Sequence, residues 1–227
     1  MTPTTKFKAA LCGLALIAAA ALPMAAAPAT AAPAPSQTVS AEAAAAAKPV
    51  PKLGFSTQTV RTLNIDFQYQ QTGYWCGPAA TRIALSARIS PPSQQQLANE
   101  LPTTTNGTDW IGQVTRVLNN HLGTGWYETK EMPNDPPTQA QRDLLWRDVV
   151  LDINNNYPIV ANIVAPASNH PPGYPNYTIY HYFTVIGYDD SDQTVLIADP
   201  AGFAPTATYW LTFNQLATLI PPKGYSA

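Results

Sequence analysis

One of the two cysteines of the chain, Cys76, begins the stretch Cys76-Gly77-Pro78-Ala79-Ala80. Pro78 predicts the first turn of a helix, because proline is tolerated there and not further along. A helix N-terminus lowers the pKa of a thiol, since its unpaired N–H groups favour negative charge. Six residues earlier, Gln70 carries an amide that can donate a hydrogen bond to an oxyanion. This spacing predicts a thiolate that attacks a carbonyl group, with Gln70 as the oxyanion donor.

The other cysteine, Cys12, lies in an N-terminal segment with the features of an export signal. Lys6 and Lys8 precede an apolar run over residues 9–22, and Ala29-Thr30-Ala31 is a small-residue cleavage site. We therefore expect residues 1–31 to be a signal peptide and the product to be secreted and extracellular. One thiol then remains, and it is a buried inert thiol, an intermolecular bridge or a nucleophile.

Of the three histidines, His181 is the best placed to act as a general base. It stands at the start of the apolar run Tyr182–Tyr188, whereas His121 ends a predicted helix and His170 lies in a loop rich in Pro and Asn. An isolated buried histidine is more often structural than catalytic, so the residue type alone does not decide the role of His181.

The hairpin after His181 supplies the further argument. The chain turns at residues 189–192 and returns to Asp199, and a pairing of Gly187 with Gln193 would place His181 directly opposite Asp199 on one sheet face. A carboxylate there would orient the imidazole as the third member of a triad. A slip of one residue would put the two side chains on opposite faces, and Asp199 would then be a turn residue before Pro200.

Composition limits the classes of partner. The chain has 227 residues, of which 45% are hydrophobic and 11% charged, which is enough to bury the core of one domain. Loss of the signal peptide removes two lysines and no acid, so the formal net charge of -2 becomes -4 (-2 minus 2). That charge gives no basic surface for nucleic acid. We expect a monomer with no integral membrane segment once the signal is removed.

The pattern of residues predicts an α+β domain over 56–227, preceded by an Ala- and Pro-rich linker or pro-segment over 32–55. A strand over 59–67 leads to the helix that begins at Cys76. Further helices are predicted first and strands afterwards, with a short helix closing the chain. The predicted helices cover 93–101, 108–121, 138–155 and 213–220, and the predicted strands cover 125–132, 158–164, 180–188, 194–198 and 209–212.

Together, Gln70, the run that begins at Cys76, the run His181–Asp189 and the pair Asp199-Pro200 resemble papain-like cysteine peptidases of the bacteriocin-processing type. This is cysteine peptidase family thirty-nine, and more specifically the chain is similar to its secreted, stand-alone bacterial relatives. The likeness covers about residues 60–220. It implies a papain-like fold in which Cys76 is the nucleophile, His181 the base, Asp199 its orienting carboxylate and Gln70 the oxyanion donor. No cofactor or metal is implied, and the scattered histidines without a C-x-x-C pair agree with that.

The resemblance implies hydrolysis of a peptide amide bond through a thioester intermediate. Because the chain carries an export signal and no transporter, an extracellular peptide or protein is a better substrate prediction than a leader peptide. Two alternatives stay open. One is a cell-wall peptide amidase or endopeptidase, and the other is a catalytically dormant extracellular binding module that uses the aromatic residues Trp110, Trp126, Tyr174 and Tyr177.

Overall fold

The computed structural model describes residues 60–227. The predicted signal peptide (1–31) and the predicted linker or pro-segment (32–55) lie outside the described residues, as does Thr59 at the start of the first predicted strand. Between residues 60 and 227, no helix is both long and apolar enough to cross a bilayer.

The predicted order of helices and strands is confirmed over most of the described chain. Ser93 and Thr138 cap two of the helices, because each hydroxyl accepts a hydrogen bond from a backbone N–H in the first turn. The elements are β1 (Val60–Thr62), α1 (Cys76–Ser86), α2 (Gln94–Glu100), α3 (Ile111–Leu122), β2 (Thr129–Glu131), α4 (Gln139–Asn154), β3 (Ile159–Ala165), β4 (Ile179–Asp189), β5 (Thr194–Ala198), β6 (Thr208–Thr212), α5 (Phe213–Leu219) and β7 (Gly224–Ser226).

The strands form one seven-stranded sheet in the order β2-β7-β3-β4-β5-β6, with β1 added to β4. Its strand pairs are all antiparallel. The predicted α+β fold, with a helical layer that carries Cys76 packed on an antiparallel sheet, is therefore confirmed. The short strand β7 was not predicted, and it joins β2 to the sheet by pairing with both β2 and β3.

Helices cover both faces of the sheet, which is one layer more than the two-layer packing that the sequence predicts. The α1 face holds Val160 and Tyr182 in one apolar cluster with α1, α2 and α3. The other face holds Phe183 and Val185 in a cluster with α4 and α5. Because neighbouring residues of β4 point to opposite faces and both faces are buried, the strand is buried continuously over residues 181–188, without alternation of buried and exposed positions.

The prediction of a strand over 59–67 is wrong beyond Thr62. The Leu63 N–H still donates to the carbonyl of Ile186 in β4 at 2.8 Å, and beyond it the chain binds side chains of α1. The Asp66 N–H donates to Ser86 Oγ at 2.8 Å, and the buried Arg82 donates to the carbonyl and the carboxylate of Asp66 at 2.9 and 2.6 Å. These bonds replace a sheet ladder and fix the segment that enters α1.

Candidate active site

Cys76 is the first residue of α1, and 9% of its surface is exposed. The turn that carries it packs closely against the loop that precedes α3. A Cβ atom built on Gly77 would lie 2.2 Å from Thr108 Oγ1, so a larger residue at position 77 would push this loop away. The glycine after the cysteine is thus required by packing.

The environment of Cys76 favours the thiolate. Burial raises the pKa of the thiol, but the hydrogen bond and charge of His181 act in the opposite direction, and backbone groups of Tyr182 and Gly77 add to that effect. The net result is a Cys76 pKa below its ordinary value. A lowered thiol pKa is the condition for a nucleophilic cysteine near neutral pH.

His181 and Asp199 meet in the interior. Nε2 of His181 lies 2.8 Å from Oδ1 of Asp199, and 4% and 3% of their surfaces are exposed. Burial lowers the pKa of His181, yet the charge and hydrogen bond of Asp199 raise it above its usual value. Because Nε2 is engaged by the carboxylate, Nδ1 is the ring nitrogen left for the Cys76 sulfur. The two groups thus shift each other's pKa in opposite directions, with the thiol lowered and the imidazole raised.

The predicted hairpin register is wrong, although the two side chains meet. Gly187 pairs with Leu196 and not with Gln193, and a bulge at Ile186 shifts the register so that Thr184 pairs with Ala198. Continued by one residue, this register puts Asp199 opposite Phe183, which makes it a diagonal neighbour of His181 on the same side of the sheet. Without the extra residue, Asp199 would point to the opposite side.

Two tyrosines that the sequence did not reveal as site residues hold the Asp199 carboxylate. The hydroxyls of Tyr174 and Tyr209 donate to Oδ2 at 2.7 and 2.5 Å, and the Ala201 N–H donates to Oδ1 at 2.9 Å. Burial raises the pKa of Asp199, but the charge and hydrogen bond of His181, followed by the hydrogen bonds from Tyr209 and Ala201, bring it down to about 2. The strand pairing could have identified Tyr209, but Tyr174 comes from a Pro-rich loop that carries no such signal.

Gln70 is joined to the residue that follows Asp199. Its backbone N–H donates to the carbonyl of Pro200 at 3.0 Å, and its Nε2 donates to the carbonyl of Thr72 at 3.0 Å. In the described part of the chain, no hydrogen bond joins the Gln70 side chain to Cys76 or His181. The structure thus brings Cys76, His181 and Asp199 together and places Gln70 next to the residue that follows Asp199.

A buried glutamine fixes the backbone on both sides of Gln70. Gln94 is fully buried, its Oε1 accepts from the Gln71 N–H at 3.0 Å, and its Nε2 donates to the Tyr69 carbonyl at 2.8 Å. Sequence reasoning missed this residue because it begins a run of three glutamines at a helix start, which reads as a polar surface.

A cavity of about 170 Å³ opens beside Cys76, with walls formed by His181, Tyr182 and the loop over residues 106–109. A second cavity of about 240 Å³ shares three wall residues with it and extends to Trp110. Together they make a cleft that leads away from the thiol. The shared wall residues are Asp109, Asn162 and Lys223.

The other two histidines lie outside this cleft. Nε2 of His121 lies 2.6 Å from Glu100 Oε2, and His170 contacts the carbonyl of Pro171. Of the aromatic residues considered for a binding module, Trp110 lines the cleft and is 52% exposed, whereas Trp126 stacks on Tyr157.

Solved structures that match the chain include three cysteine peptidases. The peptidase domain of Streptococcus ComA, a bifunctional ABC transporter involved in a quorum-sensing pathway, is 17% identical, with a TM-score of 0.47 over 72% of this chain and 98% of that one. Xylellain, a cysteine protease from Xylella fastidiosa, is 14% identical, with a TM-score of 0.46 over 74% and 85%. A double-glycine motif protease from an AMS/PCAT transporter, solved with a leader peptide, is 12% identical, with a TM-score of 0.45 over 73% and 91%.

The family assignment rests on sequence. No protein of curated function matches the chain significantly. The model of the peptidase C39-like family matches residues 62–218, which is more than half of the 227 residues and includes Gln70, Cys76, His181 and Asp199. The chain therefore belongs to the peptidase C39-like family and is a cysteine-type peptidase.

Proposed function

We propose that this chain is a secreted peptidase that hydrolyses peptide amide bonds through a Cys76-His181-Asp199 triad, with Gln70 as an oxyanion donor. One observation carries the proposal. The buried 2.8 Å hydrogen bond between Asp199 and His181 stands beside a thiol whose pKa is lowered although the thiol is buried. Opposed pKa shifts of neighbouring groups in a cleft are typical of catalytic sites.

In the first step, the Cys76 thiolate attacks the carbonyl carbon of the scissile amide and forms a tetrahedral oxyanion. The imidazolium of His181 then gives its proton to the leaving nitrogen, the C–N bond breaks, and a thioester to Cys76 remains. Asp199 keeps the imidazole in position and stabilises its positive charge throughout this step.

In the second step, neutral His181 takes a proton from water, and the hydroxide attacks the thioester carbonyl. Collapse of this second oxyanion breaks the C–S bond, releases a carboxylic acid that ionises in solution, and restores the Cys76 thiolate and the His181 imidazolium. The reaction balances with one water consumed for each amide bond and requires no further reactant.

Two donors are proposed for the oxyanion. The backbone N–H of Cys76 belongs to the first turn of α1, where N–H groups have no partner within the helix. The Gln70 amide uses one of its two N–H donors on the Thr72 carbonyl, so a second donor is available. The hydrogen bonds of Gln94 to the backbone on both sides support a fixed position for Gln70.

The cleft supports an extended peptide as the substrate. Its walls offer the exposed rings of Trp110 and Tyr180 together with the opposite charges of Asp109 and Lys223. The predicted export signal supports a substrate outside the cell. Which peptide is cut is decided by experiment, with unfolded protein and cell-wall peptides as parallel substrates.

The proposal is tested by the rate of iodoacetamide alkylation of Cys76 against pH, measured by mass spectrometry of the peptide that contains it. In the wild type we expect reactive thiolate well below the free cysteine pKa of about 8.5. The variant His181→Ala should lose that reactivity, because the cation that stabilises the thiolate is gone. His170→Ala is the matched control and should behave as the wild type.

Hydrolysis completes the test. The wild type should release new amino termini from an unfolded protein, and folded Cys76→Ala should release none. A folded Cys76→Ala variant that still cuts would contradict the proposal. Cutting of cell-wall peptides alone would favour the cell-wall alternative, and alkylation only above the free cysteine pKa would favour the binding module.

A further inference from the structure

A second cavity, here called the α4 cavity, lies between α4 and β2 and has a volume of about 300 Å³. None of its wall residues lines the cleft at Cys76. Its walls combine the ring of Trp126 and the side chain of Leu151 with charged groups from both elements. The volume is at the lower end of the range found for small-molecule sites.

The charges on these walls are paired except for one. Lys130 forms an ion pair with Glu128, and Arg147 forms one with Asp148 at 3.0 Å. Asp152 is the exception, since its Oδ1 accepts a hydrogen bond from Trp126 Nε1 at 2.9 Å, while its Oδ2 is buried without any partner. One wall residue, Asp152, therefore carries a carboxylate oxygen without a hydrogen-bond donor.

The position of Asp152 is unfavourable for an unliganded carboxylate. It is 3% exposed, it lies near the C-terminal end of α4 where the helix dipole disfavours negative charge, and Asp148 stands one turn before it. Burial raises the pKa of Asp152 to about 6, with the charge of Asp148 in the same direction and Trp126 and Lys130 opposing it. A bound cation would remove each of these penalties.

We infer that the α4 cavity binds a primary ammonium group, which donates to Asp152 Oδ2 while its alkyl stem packs on Trp126 and Leu151. One unpaired carboxylate oxygen beside an indole ring suits a monovalent organic cation. A metal ion suits it less, because the described residues contain no group of three or more His, Cys, Asp or Glu side chains that could hold one. The lysine side chain of a peptide and a free alkylamine both present this chemistry.

The test follows the indole N–H resonance of Trp126 by two-dimensional NMR, with assignment by Trp126→Phe. The probe is n-butylammonium, and n-butanol is its neutral counterpart of the same shape. We expect a saturable shift with the ammonium and none with the alcohol. Asp152→Asn keeps the acceptor for Trp126 and should weaken ammonium binding at least tenfold. Asp143→Asn, on an exposed face of the same helix, is the matched control and should bind as the wild type.

Further probes identify the source of the ammonium group. Nα-acetyl-lysine amide tests the lysine side chain, and glycinamide tests a peptide amino terminus. No shift with any amine, an equal response to n-butanol, or equal binding by Asp152→Asn would overturn the inference. A response to Ca²⁺ or Na⁺ without a response to amines would do the same. Because Cys76 alkylation is measured separately, failure here is distinguishable from failure of the peptidase proposal.

Discussion

Asp199 and Asp152 are equally buried carboxylates in two different surroundings. Each is 3% exposed. Asp199 accepts four hydrogen bonds, and its pKa falls to about 2 although burial raises it. Asp152 accepts one hydrogen bond, from Trp126, and burial raises its pKa to about 6. Burial raises both pKa values, and what opposes it differs. For Asp199 the charge of His181 and several hydrogen bonds outweigh burial, whereas for Asp152 one hydrogen bond from Trp126 and the charge of Lys130 do not.

The hydrogen bonds of the two carboxylates explain why we assign them different roles. The donors to Asp199 come from four places in the chain and are all supplied by the protein, so its charge is available to His181 without any ligand. Asp152 lacks such donors on Oδ2, and the residue is part of the wall of the α4 cavity. Asp199, whose two oxygens both accept hydrogen bonds from the protein, orients His181. Asp152, with one oxygen that accepts none, is the carboxylate that we propose to bind an ammonium group.

The largest expected effect is the loss of catalysis when the charge of Asp199 is removed. Asp199→Asn turns an acceptor toward His181 into an amide, so the imidazole loses both its orientation and its counter-charge. We expect peptide hydrolysis to fall by about 10³ to 10⁴-fold, on the scale of other triads. Initial rates on an unfolded protein check this, with Asp143→Asn as a control of unchanged rate. A loss below tenfold would show that Asp199 is a structural residue only.

The next largest effect concerns the two tyrosine hydroxyls that donate hydrogen bonds to Asp199. Tyr174→Phe and Tyr209→Phe each remove one hydrogen bond to a buried carboxylate, which costs about 1.5–3 kcal/mol of unfolding free energy. Both should also weaken the hold of Asp199 on His181 and so shift the pH profile of Cys76 alkylation upward.

Tyr225→Phe is the matched control for the tyrosines, since the Tyr225 hydroxyl donates to the buried Asp148 at 2.9 Å, outside the cleft. We expect a similar loss of stability in urea unfolding with no change in the alkylation profile. If all three variants leave the alkylation profile unchanged, Tyr174 and Tyr209 act on stability and not on the triad.

The sequence predicted what depends on local signals. Pro78 and the small residues after it set the start of α1, and apolar runs identified β3, β4 and β5. His181 and Asp199 were paired correctly from an incorrect register, because the bulge at Ile186 restored the side of the sheet that the simple hairpin had assumed. A bulge is one inserted residue, and the type of residue at that position does not predict it.

The rest of the site depends on contacts that are distant in sequence. Tyr174 is 25 residues from Asp199, and Gln94 is 25 residues from the Tyr69 carbonyl that it binds. Nothing local distinguishes Gln94 from the two glutamines that follow it. Likewise, Asp152 reads as a polar residue of an amphipathic helix until the packing of Trp126 shows that it is buried.

The two carboxylates should also respond to pH in opposite ways. Asp199 has a lowered pKa, so its contribution to stability is complete above the ordinary pKa of about 4 and is lost as the pH falls toward 2. Asp152 has a raised pKa, so the folded state holds its proton between about pH 4 and 6 while the unfolded state does not. Stability should therefore decrease by about 1–2 kcal/mol as the pH rises through that window.

Urea unfolding at several pH values checks the Asp152 effect. The stability of Asp152→Asn relative to the wild type should increase between pH 4 and 7, because only the wild type has a carboxylate to ionise in the cavity. A constant difference across this range would mean that the pKa of Asp152 is the same in the folded and unfolded states. Saturating n-butylammonium should reduce the difference at pH 7, since the bound cation stabilises the ionised wild type.

The smallest expected effect is the change in unfolding free energy when Arg147, the exposed ion-pair partner of Asp148, is replaced. The Arg147 side chain is 66% exposed, and Asp148 keeps the hydrogen bond from Tyr225 when the guanidinium is gone. Arg147→Met should thus cost less than about 1 kcal/mol of unfolding free energy. Arg82→Met is the contrast, because that side chain is 8% exposed and its removal leaves the Asp66 segment without its anchor. Equal losses for the two variants would mean that exposure does not govern the strength of these ion pairs, and the account of the paired charges around Asp152 would need revision.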